Sequence, residues 1–240
     1  MSKRAFQPAI ARDMVNWEKY AKQNAEFYIL SRPEINYRTS EGREFFFRSG
    51  VEDSRRTLER IQHLLPGRER CVDLGCGIGR LALPHARSFT EVYAVDISAT
   101  MLGKLQLTCE ENAVRNVRLF LVDEAWDEEK VTDYVYSFMV LQHISDFNLI
   151  VEHLRRIHRT LKPNGIAQLH FDTRPANVWY KIRNSVPDIF LPVVYRRGLR
   201  RVRRSSADLM NAFHNAGLRV IDASGVASFW TIYVLTPEYN

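Results

Sequence analysis

The segment Val72-Asp73-Leu74-Gly75-Cys76-Gly77-Ile78-Gly79-Arg80 constrains this chain more than any other stretch. An apolar strand runs straight into glycines at every second position, and a helix-forming sequence follows. Glycine tolerates φ > 0 and lets a ligand approach the main chain closely. The helix behind such a loop presents unpaired N–H groups. Strand, tight turn and helix are the opening of a crossover unit, and the downstream sequence continues the alternation. Strands are expected over 71–74, 91–95, 117–122, 134–140 and 166–171, with helices over 81–88, 99–113 and 148–161. Ser98 stands where it can cap the second of these helices. Lys162-Pro163-Asn164-Gly165 stops the third. After Asp172 the pattern changes. Residues 173–204 are rich in proline, aromatics and arginine, and a helix from Ser205 or Ser206 follows, ended by Gly217. The last two strands, 219–224 and 229–235, have no helix between them and must lie antiparallel.

Spacing around the glycines separates two ligand classes. Dinucleotide sites use G-x-G-x-x-G with a pyrophosphate on the helix N-terminus. Here an acid stands two residues before the first glycine, giving D-x-G-x-G-x-G. A carboxylate there repels a pyrophosphate and suits an ammonium group, such as the α-amino group of S-adenosylmethionine. A tight turn that binds nothing is the plain alternative. Two further acids weigh against it: Asp96 closes the second strand and Asp123 the third. Three adjacent parallel strands ending in Asp bring their carboxylates to one rim, where ligands bind in such sheets.

On these residues, with Leu161–Gly165, the chain resembles the class I S-adenosylmethionine-dependent methyltransferases over about 55–172, and in outline over the last strands. The resemblance implies an α/β Rossmann-like, doubly wound seven-stranded sheet, mostly parallel with an antiparallel C-terminal edge. A helical cap over 1–54 would precede a methyltransferase domain over 55–240, with a variable substrate-side insertion at 173–204. It further implies that Asp73, Gly75, Gly77 and Gly79 hold the methionine end of the cofactor and Asp96 the ribose, with Cys76, Arg80, Ile97, Met101 and Met139 as further cofactor-binding candidates. Asp123, Glu124 and Ala125 would frame the adenine.

Methyl transfer is an in-line displacement that needs alignment and sometimes a base. His143, after strand four, and Asp172, after strand five, are the candidate catalytic residues. Tyr28 and Tyr37 in the cap, with Trp179 and Tyr195 in the insertion, are candidates to contact the acceptor. The pattern Asn/Asp-Pro-Pro-Tyr after strand four is missing, and no RNA-binding module flanks the core, which lowers the expectation of a nucleic-acid substrate. The expected activity is therefore methylation of an O- or N-nucleophile on a small molecule. A protein methyltransferase, or a non-catalytic cofactor-binding partner subunit, remains the alternative. Three cysteines without ligand spacing read as reduced thiols in a cytoplasmic protein that holds no metal. No apolar run reaches the roughly 20 residues that span a bilayer. The net charge of +6 is modest. It is focused, however, in Arg196, Arg197, Arg200, Arg201, Arg203 and Arg204, which read equally as a solvated loop or as a grip for an anion.

Overall fold

The computed structural model describes residues 7–192 and 199–238. Seven strands form one sheet: β1 Arg70–Leu74, β2 Glu91–Asp96, β3 Val117–Leu121, β4 Thr132–Ser137, β5 Leu161–Phe171, β6 Leu218–Ser224 and β7 Thr231–Pro237. Their order is β3-β2-β1-β4-β5-β7-β6. The first five are parallel, and β7 runs antiparallel between β5 and β6. The central strands are apolar on both faces, because helices cover both. Val72, Leu74, Val95, Val135 and Leu169 pack on one side, and Cys71, Val92, Ala94, Tyr134 and Ile166 on the other.

Helices α3 Ala82–Ala86, α4 Ala99–Glu111, α5 Phe147–Thr160, α6 Val178–Ser185 and α7 Ser206–Asn215 complete the core and its insertion. The expected cap at Ser98 is present: its hydroxyl accepts the Met101 N–H at 3.1 Å. Two strand ends differ from expectation by more than two residues. β4 stops at Ser137 rather than 140, because Met139 adopts φ +60° and turns the chain out of the sheet. β5 begins at Leu161, which pairs with Thr132 ahead of a register shift, so Lys162–Gly165 belongs to the strand rather than to a turn before it.

The amino-terminal cap consists of α1 Gln7–Leu30 and α2 Ser40–Ile61. Helix α1 breaks at Asn24 (φ −169°, ψ 85°), whose side chain accepts the Phe27 N–H at 3.1 Å and starts the second segment. Helix α2 runs through the expected boundary at 54/55. Gly50 explains its closeness to the glycine loop, since a Cβ there would lie 2.0 Å from the Arg80 carbonyl oxygen. Ala21, Ala25, Tyr37 and Phe46 of the cap share one core with Ile78 of the loop and Met101 of α4.

Candidate functional site

The carboxyl ends of β1, β2 and β4 meet beneath α1 and enclose a cleft with about 1080 Å³ of open space, its mouth included. Gly75, Gly77 and Gly79 take φ of +88°, +55° and +89°, the left-handed region that favours glycine. The loop is pinned to β2. The N–H groups of Gly75 and Cys76 donate to the Val95 carbonyl at 2.7 and 3.0 Å. The Gly77 N–H donates to Asp96 Oδ2 at 2.8 Å, and the Ser98 N–H to Asp96 Oδ1 at 2.9 Å. Each carboxylate oxygen of Asp96 still has a free lone pair for a ligand hydroxyl. Burial pushes Asp96 up to about 6 against these backbone donors.

Asp73, at the base of the loop, is buried behind the residues that line the cleft, and its Oδ2 has no partner in hydrogen-bond geometry, the Tyr136 hydroxyl being the nearby donor. Burial pushes its carboxyl up to about 7; Asp96 adds to the rise, and the Tyr136 hydroxyl and Arg80 guanidinium oppose it. A buried acceptor left without a donor costs free energy unless a ligand supplies one. Arg80 lines the cleft and is itself held by Asp53 of α2 at 2.7 Å and by the Ser49 hydroxyl at 3.2 Å.

Of the other residues singled out by sequence, Tyr28, Ile97, Met101, Met139 and His143 line the cleft. Gly79 instead faces Leu105, and Cys76 is buried in the core, its thiol pushed well up by burial. Asp123, Glu124 and Ala125 sit on an exposed turn beyond β3, and Val122 lines the cleft in their stead. Glu124 folds back onto its own strand, its carboxylate accepting the Leu121 N–H at 2.7 Å. Tyr37 packs edge-on against Phe46 inside the cap core and does not reach the cleft. Trp179 is 78% exposed on α6. Tyr195, like Arg196 and Arg197, lies outside the described residues. Asp172 does not line the cleft either; both its oxygens are taken by Arg174, at 3.0 and 2.5 Å.

His143 ends a single helical turn, Leu141–His143, and meets Trp17 edge-on at 6.3 Å. Burial pushes its pKa down to about 4, and nearby Arg201 adds to the effect, so the ring is neutral at physiological pH. His170 lies behind it as a brace. Its Nδ1 accepts the Met139 N–H at 3.2 Å, which fixes Nε2 as the donor to the Phe229 carbonyl at 3.1 Å. Sequence reasoning missed Asp13 and Ile29 of the roof and His153 of α5. Asp13 was findable, since it falls four residues before Trp17 on one helix face.

The described end of the arginine run is tied to the core. The Val202 N–H donates to the Gln142 carbonyl at 2.7 Å and the Arg204 N–H to the Asp172 carbonyl at 2.9 Å. These bonds stitch residues 202–204 between the ends of β4 and β5. Among the described residues no cluster of His, Cys, Asp or Glu suits a metal ion, and no helix is long and apolar enough to cross a membrane.

A sequence model of the methyltransferase domain matches residues 47–223. The ubiquinone biosynthesis O-methyltransferase of Rhodopseudomonas palustris (strain TIE-1) is 28% identical over 166 residues, covering 67% of this chain and 62% of its own length. This chain thus spans about three fifths of that relative. Among solved structures, an S-adenosylmethionine-dependent methyltransferase from Clostridium acetobutylicum superposes with a TM-score of 0.65 at 15% identity, over 92% of this chain and 100% of that one. Magnesium protoporphyrin IX methyltransferase from Synechocystis PCC 6803, solved with bound SAH, gives 0.60 at 19% identity, over 92% and 98%.

Proposed function

Because the chain belongs to the methyltransferase-domain family, we propose that it moves a methyl group from S-adenosylmethionine to an O- or N-nucleophile on a small molecule. One observation carries the reading: the buried Oδ2 of Asp73, without a hydrogen-bond partner, behind three left-handed glycines. An α-ammonium group satisfies it, whereas a pyrophosphate is repelled by it. Asp96 offers acceptor lone pairs to ribose hydroxyls. Ile97, Met101, Val122 and Leu141 form an apolar slot for a flat base. When bound, the cofactor supplies an electrophilic methyl on a sulfonium.

The remaining work falls to this chain's own side chains. Asp13, Trp17 and Tyr28 roof the cleft and favour a small acceptor over a folded chain. Neutral His143 hydrogen-bonds the acceptor and orients it; with a pKa near 4 it is too weak a base to hold the proton afterwards. The likeness to an O-methyltransferase of ubiquinone biosynthesis favours a hydroxyl nucleophile. The test is calorimetric titration with S-adenosylhomocysteine beside NADH. Binding of the first at micromolar Kd and not of the second is expected. NADH binding alone, or neither, overturns the reading.

A further inference from the structure

Resting on that reading, we propose that the acceptor carries an acid group, held at the rim of the cleft beside His143 by Arg201 with Arg200. The arginines of this region are not equivalent. Arg174 is neutralised by Asp172. Arg203 donates to the Pro175 carbonyl at 2.7 Å and lies 4.5 Å from the Tyr180 ring centre. Arg204 donates to the Ile144 and Ser145 carbonyls at 3.0 and 2.8 Å. Arg201 differs from all three. Among the described residues it makes neither a hydrogen bond nor an ion pair, and its guanidinium rests 5.2 Å from the centre of the Phe229 ring. Arg200 carries a buried Nη1 with no partner among the described residues.

Backbone geometry puts these two cations at the acceptor end. The bond from Val202 to the Gln142 carbonyl sets Arg201 alongside His143. Its charge reaches both His143 and His170 and depresses their protonation, and half-burial lowers its own pKa. Asp172 acts on this guanidinium only through space, so its fork of donors is left without a hydrogen-bonding carboxylate, and a bidentate oxyanion is the group that satisfies it. The neighbouring rings suit a flat molecule: Phe138, which lines the cleft, meets Trp230 at 5.2 Å, and Trp230 meets Phe229 at 6.0 Å. The acceptor class is thus a flat small molecule bearing a carboxylate or a phosphate.

The experiment uses the full chain saturated with S-adenosylhomocysteine, whose own binding is measured first. Benzoate, benzamide and inorganic phosphate are titrated to tens of millimolar while the Arg201 Nε–H resonance is followed. Benzoate should bind saturably and shift that resonance, and benzamide, which differs in charge, should bind at least tenfold more weakly. Arg201→Gln should abolish benzoate binding and leave the S-adenosylhomocysteine affinity unchanged within twofold. Saturable phosphate binding without benzoate binding, equally lost in Arg201→Gln, assigns the subsite to phosphate esters. Binding of neither anion, or binding that survives Arg201→Gln, overturns the proposal while intact S-adenosylhomocysteine binding leaves the methyltransferase reading standing. Absent S-adenosylhomocysteine binding takes down that reading instead.

Discussion

Replacing Asp73 with asparagine tests the cofactor site where it is most exposed to failure. Burial holds this carboxyl at about 7 instead of 3.8. At 1.36 kcal/mol per tenfold, that rise corresponds to about 4 kcal/mol against the charged form. In the ligand-free protein the sign is fixed by linkage. The unfolded chain releases the proton first, so this group favours folding below about 4, and that contribution is lost as pH rises towards 7. For cofactor the sign reverses, because an ammonium group binds the carboxylate and not the acid. Affinity for S-adenosylhomocysteine should therefore be full above pH 7 and fall below it. Between pH 7.5 and 5.5 the ionised fraction of a group at 7 drops roughly twenty-fivefold, while a group at 6, as for Asp96, drops only about fourfold. Titration calorimetry across this interval should show the wild type losing at least about twentyfold. Asp73→Asn should bind more weakly at pH 7.5 and lose about fourfold or less. A wild-type profile flat to within fourfold, or a variant profile parallel to the wild type, would refute the assignment of the ammonium to Asp73.

Asp96→Ala should weaken S-adenosylhomocysteine by about 1.5–3 kcal/mol, the worth of hydrogen bonds to a charged acceptor, and should also release the Gly77 N–H; unchanged calorimetric affinity would contradict this. Gly50→Ala raises helix propensity by roughly 1 kcal/mol, yet the Cβ would meet the Arg80 carbonyl at 2.0 Å, so a net loss of about 1–2 kcal/mol in urea unfolding is expected, and a stabilised variant would count against the packing described. His85, His143, His153 and His170 are all held neutral by burial, near 4. The unfolded chain takes up their protons from about 6.5 downward, so they withdraw stability as pH falls from 6.5 towards 4, outweighing Asp73 and Asp96, which act oppositely. The melting temperature of the ligand-free protein should accordingly fall between pH 6.5 and 4.5; a constant or rising value would show that the histidines are not buried in neutral form.

Most of the sheet was legible because parallel strands covered on both faces read as apolar runs, and Asp73, Gly75, Gly77 and Asp96 could be placed by spacing alone. What escaped was set by contacts distant in sequence. Phe138-Met139-Val140 continues the apolar pattern of β4, yet the strand ends early because His170, thirty-one residues on, holds the Met139 N–H. The start of α2 was hidden by Gly42 and Gly50, poor helix formers kept where a Cβ would strike the Asn36 and Arg80 carbonyl oxygens. Tyr37 looked like a lid aromatic, but no local pattern distinguishes a ring facing a cleft from one facing Phe46. The arginine run read equally as a solvated loop or an anion grip because charge patterning does not register the backbone bonds from Val202 and Arg204 to Gln142 and Asp172.

The contact of α2 with the glycine loop also bears on how such a scaffold can be re-engineered. An acceptor cap that met the core only through exposed side chains could be exchanged between relatives as a cassette. Here Gly50 leans on the Arg80 carbonyl, Arg80 is clasped by Asp53, and Ile29 would be the first atom met by a Cβ on Gly77. Chimeras that graft a foreign cap therefore have to carry the residue at 80 and its partners at 50 and 53 together. Otherwise the exchange disturbs the glycine loop, the proposed donor site, before it alters the choice of acceptor.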